Sequence, residues 1–108
     1  MTEPDAELIE KVEEALKDVI DPELGVDIVN LGLVYGYTWD AANQRLFIKA
    51  TLTSAECGHQ GIIGSQIAKA IEGIVPSHVV EWVWMPAWSP ARVTEDGRDM
   101  MLALGFNV

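Results

Sequence analysis

The sequence predicts an α/β (α+β) domain of two layers, in the order α-β-β-α-β-α, with a small three-stranded mixed sheet and helices on one face. Three observations predict it. An amphipathic helical run opens the chain, two alternating runs flank a turn-forming DAANQ, and a second helical run leads to a third strand-like run, HVVEWVWM. A hairpin followed by a helical crossover to a third strand is the pattern of a mixed sheet covered on one side.

From about Thr2 to Val19, Leu8, Val12, Leu16 and Val19 recur at helical spacing, with Glu10, Glu13, Glu14 and Lys17 opposite them. This helix stops before Pro22, because the residue preceding a proline is pushed out of the helical region. The stretch DPELGVDIVNLG has no clean period but carries Ile28, Val29 and Leu31, so it reads as a loop that buries apolar side chains.

Leu33 to Trp39 and Arg45 to Thr53 alternate. The second run puts Leu46, Ile48, Ala50 and Leu52 on one face and Phe47, Lys49, Thr51 and Thr53 on the other. Ile63, Ile67, Ala70 or Ile71, and Ile74 mark the second helix, closed by Gly73 and by Pro76 just beyond. After PAWSP, Thr94 offers an N-cap, and Met101 to Leu104 a short closing helix with Gly105 past its end.

The 108 residues make one domain, 1–108, with room for a single core. A formal charge of −10 argues against neutralising phosphates, so no nucleic acid is expected as partner. The acidic start MTEPDAELIEKVEE has neither a basic nor an apolar leader region, and no run of about eighteen apolar residues exists. No membrane partner and a cytoplasmic location are expected. The single cysteine cannot close an internal disulfide, which fits a reducing compartment.

That cysteine, Cys57, stands where the second strand hands over to the second helix. In a first helical turn, unpaired N–H groups and the positive end of the dipole stabilise a thiolate and lower its pKa. The other reading, a small buried apolar filler, stays open. His59 brings an imidazole near the thiol, but Cys-x-His with one sulfur and two histidines in all does not supply a closed zinc site. It reads as a surface or capping residue or as a ligand. A Cys/His hydrolase would also need an oxyanion hole and an oriented base.

The segments DPELGVDIVNLGLVY, TLTSAEC and MPAWSPARVTEDGR, in this order and spacing, resemble the SufT/PaaD-like family of metal-sulfur cluster biosynthesis proteins. The resemblance runs from the first helix to Arg98. It implies a small α/β domain that assembles iron-sulfur clusters or delivers them to apo-proteins. It also implies a metal site at Cys57, Asp21 and Glu23, to which His59 would add a nitrogen ligand, lined by Thr51 and Thr53. For Asp21 and Glu23 a capping and turn role is the competing reading, and for the threonines ordinary strand propensity.

In the family the cysteine is commonly followed by proline, whereas here Gly58 and His59 follow. The PaaD branch carries an additional cysteine-rich C-terminal segment, and this chain ends at Val108 without one, so the SufT-like branch is the better match. An iron-sulfur cluster usually takes four protein ligands, so one chain with Cys57 cannot hold one in the ordinary way. A homodimer would offer two Cys57 thiolates and two His59 imidazoles to a transient iron-sulfur cluster or iron; otherwise a partner or small thiol completes the site.

Trp82, Trp84 and Trp88 are large aromatics for a small chain, and Trp82 and Trp84 share one strand face. They form a partner-binding patch if exposed, with Arg92 and Arg98 as counter-charges to the acidic site, or pack under the first helix or the C-terminal loop. The expected partners are other iron-sulfur assembly proteins and recipient apo-proteins. Three functional classes follow: a non-enzymatic cluster assembly or maturation factor, an accessory adaptor for a multicomponent oxygenase or other metalloenzyme, and a thiol enzyme.

Overall fold

Asp5 starts the first helix by accepting the Leu8 N–H on its side chain at 2.8 Å, an N-cap that satisfies one of the free donors of the first turn. In this computed structural model, which describes residues 2–22, 24–53 and 60–105, helix α1 spans Ala6–Leu16. It is shorter than the expected Thr2 to Val19 because Asp5 sets its start and Lys17 closes it. Val12, Leu16 and Val19 are all buried, as their spacing requires.

Strand β1 spans Val34–Asp40 and β2 spans Arg45–Ala50, paired antiparallel around a turn in which Gln44 takes φ 50°. A register irregularity lies between Val34 and Gly36. Helix α2, Gln60–Ala70, then carries the chain to β3, Ser77–Trp82, which pairs parallel to β2. The strand order is β1-β2-β3. The crossover helix is what makes the second pairing parallel, since a parallel neighbour cannot be reached by a tight turn.

Alternation holds over Arg45–Ala50, but β2 ends there, short of the expected Thr53, and Thr51, expected on the outward face, is buried. Leu46, Ile48 and Ala50 are buried and join one core with Val12 and Leu16 of α1 and Ile63 and Ile67 of α2. Arg45, Phe47 and Lys49 lie on the face turned away from that core. A 3-10 turn, Pro90–Arg92, leads to α3, Glu95–Ala103, whose N-cap Thr94 accepts the Gly97 N–H at 3.0 Å. The closing helix is thus longer than the predicted Met101 to Leu104. Gly97 does not break it, because the missing side chain lets its backbone lie against the Asn30 carbonyl.

Candidate functional site

Backbone pairing on either side closes the turn headed by Asp21. Ile20 and Asp27 form an isolated antiparallel bridge, the Asp21 N–H donates to the Val26 carbonyl at 3.0 Å, and the Gly25 N–H returns to the Asp21 carbonyl at 2.8 Å. Gly25 takes φ +72°, a conformation that costs glycine little and other residues more. At the head of this turn Asp21 is fully buried, and its Oδ1 accepts the Leu24 N–H at 3.3 Å. A buried carboxylate needs such donors to offset its lost hydration.

A ladder of main-chain bonds ties this turn to the end of β2. The Ile28 N–H donates to Val19, the Leu33 N–H to Ile28, and the Thr51 N–H to Leu33, at 3.0, 3.0 and 2.8 Å. Thr51 is buried and Thr53 half-buried where β2 has ended and the cysteine segment begins. On the helix side, the Ile20 N–H donates to Gln66 Oε1 of α2 at 3.3 Å. One hydrogen-bonded frame therefore carries both the buried acid and the threonine.

A second layer clamps the frame from the C-terminal third. Asp27 accepts the Asn30 N–H on Oδ2 at 3.0 Å and the Asn30 side-chain amide on Oδ1 at 2.8 Å. Asn30 Oδ1 accepts the Thr94 hydroxyl at 2.6 Å, and the Asn30 carbonyl accepts the Thr94 N–H at 2.9 Å. Trp88 Nε1 donates to the Leu31 carbonyl at 2.6 Å, and Arg92 Nε to the Gly32 carbonyl at 3.0 Å. Gly32, at φ +76°, leaves no room for a Cβ against the Arg92 backbone.

Of the residues predicted for the metal site, only Asp21 falls among those described; Glu23, Cys57 and His59 lie outside them. Among the described residues no group of three or more histidine or acidic side chains is placed to hold a metal ion. Trp82 is half-buried on the core face of β3, where a Cβ on Gly64 of α2 would stand 3.8 Å from its ring. Trp84 is exposed and Trp88 half-buried. Arg92 lies over the Tyr35 ring, its guanidinium carbon 4.1 Å from the centroid, and makes no ion pair among the described residues. Tyr35 in turn donates its hydroxyl to the Pro86 carbonyl at 2.7 Å, next to a cis Met85–Pro86 bond.

Sequence reasoning missed the Asp27, Asn30 and Thr94 network. Its local signal was the Asp-x-x-Asn spacing of a side-chain capped turn, which sets Asp27 against the Asn30 N–H. The third member stands 64 positions further on, where no local pattern reaches.

Comparison with known proteins gives these features a family. The iron-sulfur cluster assembly protein family matches residues 9–83. The chain is 41% identical over 101 residues to the Fe-S protein maturation auxiliary factor YitW of Bacillus subtilis, covering 92% of this chain and 95% of that one. It is 41% identical over 91 residues to the Fe-S protein maturation auxiliary factor SufT of Staphylococcus aureus, covering 82% and 99%. Among solved structures, a domain of unknown function from Bacillus anthracis superposes with TM-score 0.81 at 40% identity over 94% of both chains. A Mycobacterium tuberculosis protein associated with Fe-S complex assembly and repair matches at 45% identity and TM-score 0.54, over 97% of this chain and 92% of that one. The chain belongs to the iron-sulfur cluster assembly protein family, with SufT-like maturation factors as its relatives.

Proposed function

We propose that this protein is a non-enzymatic maturation factor that helps pass iron-sulfur clusters, or iron, to recipient apo-proteins through a site at the junction of β2 and α2, with Cys57 as its thiol. The observation that supports it most is the frame linking the buried Asp21 turn to Thr51, because its last rung lies at the start of the segment that carries the cysteine. A carboxylate, a hydroxyl and a thiolate suit both hard and soft faces of an iron-sulfur cargo.

One thiol per chain cannot satisfy a cluster that usually takes four protein ligands. The remaining ligands come from outside the chain, which makes the complex short-lived and suited to hand-over. A charge of −10 directs docking towards neutral or basic protein surfaces, such as other assembly proteins and apo-protein clients. No helix among the described residues is long and apolar enough to cross a membrane.

Anaerobic reconstitution with iron and sulfide, on the native chain and on Cys57→Ser, tests the reading. Visible charge-transfer absorbance that is lost in the serine variant, and passed on to an added apo-ferredoxin, is the expected result. A native chain that gives neither absorbance nor transfer would overturn it.

A further inference from the structure

We infer that the outer edge of β3 is a self-association surface, on which a second copy of this chain adds its own β3 antiparallel about a two-fold axis at Val80. The direction of the backbone groups carries the argument. The Val83 N–H donates to the Ala50 carbonyl at 2.9 Å, which fixes the odd-numbered residues of this run as those facing β2. His78, Val80 and Trp82 therefore point their N–H and C=O groups outwards, and beyond the β2 ladder no main-chain bond from Ser77–Trp82 reaches another described residue.

The two edges of the sheet differ. On β1, Thr2 exchanges hydrogen bonds with Trp39 at 2.9 and 2.7 Å, and the strand is kinked between Val34 and Gly36. These are devices that blunt an edge. Among the described residues β3 has neither a bulge nor a covering strand, and it carries no Lys or Pro within Ser77–Trp82.

Self-pairing suits this strand. An antiparallel pair related by an axis normal to the sheet must match residues of like parity, since opposed side chains share a face. Centred on Val80, His78 meets the partner's Trp82 and Val80 meets its own copy, giving about six hydrogen bonds between the strands. Centred on Val79, the strand keeps about four within its bounds, because Trp82 then meets Pro76, which has no N–H.

Charge points the same way. The chain as a whole repels its copy at −10, but this edge carries Glu81 alone, beside Lys49 in register and with Arg45 bonded to Ser77 at 3.4 Å. In the Val80-centred pairing Glu81 meets the partner's Val79, not a second carboxylate. Little charge therefore opposes the approach of a second β3 along the edge whose outward main-chain groups meet no other described residue.

The pairing also separates the two candidate sites. Thr51 is level with Val83, three residues beyond the axis, so the two Thr51 residues stand about 20 Å apart along the strands and about 14 Å across them, or about 24 Å in all. Each chain keeps its own site, and the missing ligands come from another protein or a small thiol. The surface does not depend on the proposed cluster chemistry, and its test uses neither iron nor sulfide in the main arm.

Analytical ultracentrifugation of the full chain at high micromolar concentration should give a species of twice 11.9 kDa. Amide exchange at His78, Val80 and Trp82 should slow together as the chain is concentrated. Val80→Pro removes an outward donor where an edge strand tolerates proline, and should raise the dimerisation midpoint about tenfold or more. Should that variant fail to fold, a mixture of Val79→Cys and Glu81→Cys chains, both carrying Cys57→Ser, decides the matter. Those positions oppose each other at about 4.5 Å between Cα atoms, so the mixed disulfide should form in preference to either homodimer. A monomer at all concentrations, a dimer indifferent to folded Val80→Pro, no preferred mixed disulfide, or a dimer seen only with iron and sulfide would each overturn the inference.

Discussion

Thr94 grips Asn30 twice, its hydroxyl reaching Oδ1 at 2.6 Å and its N–H the carbonyl at 2.9 Å, while the same hydroxyl caps α3 by accepting from Gly97. One side chain therefore starts a helix and locks it to the turn region of the candidate site. Thr94→Ala should lower stability by about 2 kcal/mol, from a lost cap and a lost partly buried hydrogen bond. Asn30→Ala should cost about 3 kcal/mol, since it also strips the buried Asp27 carboxylate of its side-chain donor. Urea midpoints at unchanged slope measure both, and the double variant should show coupling between them.

Two helical glycines should respond to alanine with opposite signs. Gly97→Ala forces a Cβ to within 2.6 Å of the Asn30 carbonyl, so the usual gain from alanine turns into a loss. At Gly64 the nearest atom is the Trp82 ring at 3.8 Å, an ordinary contact, and alanine should stabilise by up to about 1 kcal/mol. Thermal melts of the two variants against the native chain check the contrast.

Burial, then the neighbouring Glu13 carboxylate, hold the Tyr37 phenol well above its ordinary value of 10.0. The Tyr37 hydroxyl is buried without a hydrogen bond of full geometry, although Glu13 is close enough to bear on its charge. A phenol raised in the folded state stabilises fully below its unfolded pKa, and that contribution falls as pH climbs above about 10, by up to about 1.4 kcal/mol per pH unit. Tyr37→Phe should remove this slope while leaving neutral-pH stability nearly unchanged. Denaturation midpoints between neutral and strongly alkaline pH would expose a wrong assignment as parallel curves for the two proteins.

Thr51→Val keeps the shape and the main-chain bond to Leu33 while deleting the hydroxyl. Stability should move by about 1 kcal/mol, whereas iron-sulfur reconstitution and transfer should fall several-fold. Equal transfer by folded Thr51→Val and native chains would remove the hydroxyl from the proposed site.

Arg92→Lys keeps the charge but loses the flat stack on Tyr35 and the fixed geometry of the guanidinium bond to Gly32. A loss of about 1 kcal/mol is expected, read as a drop in melting temperature that Arg92→Ala should exceed.

Periodicity made the layers legible. Val12 and Leu16 on α1 and the alternating Leu46, Ile48 and Ala50 on β2 each have one buried direction, and that direction is written in the local order of residues. The candidate site was legible only in its parts. Asp21 and Thr51 stood out as residue types within a resembling pattern, yet the ladder through Ile28 and Leu33 that joins them depends on a loop without a period. The aromatic run left open an exposed patch or packing under the first helix or the C-terminal loop; the face that Trp82 shares with Trp84 turns to α2, where half-buried Trp82 stands beside Gly64 while Trp84 is exposed. Arg92 likewise lies on Tyr35 because a stacked and hydrogen-bonded position is available 57 residues back along the chain.

The clamp between positions 30 and 94 also sets a timetable for synthesis. Helix α1, the hairpin and α2 can form as they leave the ribosome, because their contacts are local or look backwards to residues already made. The Asp21 turn leans on a loop whose outer partners, Trp88, Arg92 and Thr94, emerge after all three strands. A nascent chain halted before Thr94 therefore carries most of its core, short of Met101, before anything locks the loop on which the buried Asp21 turn leans.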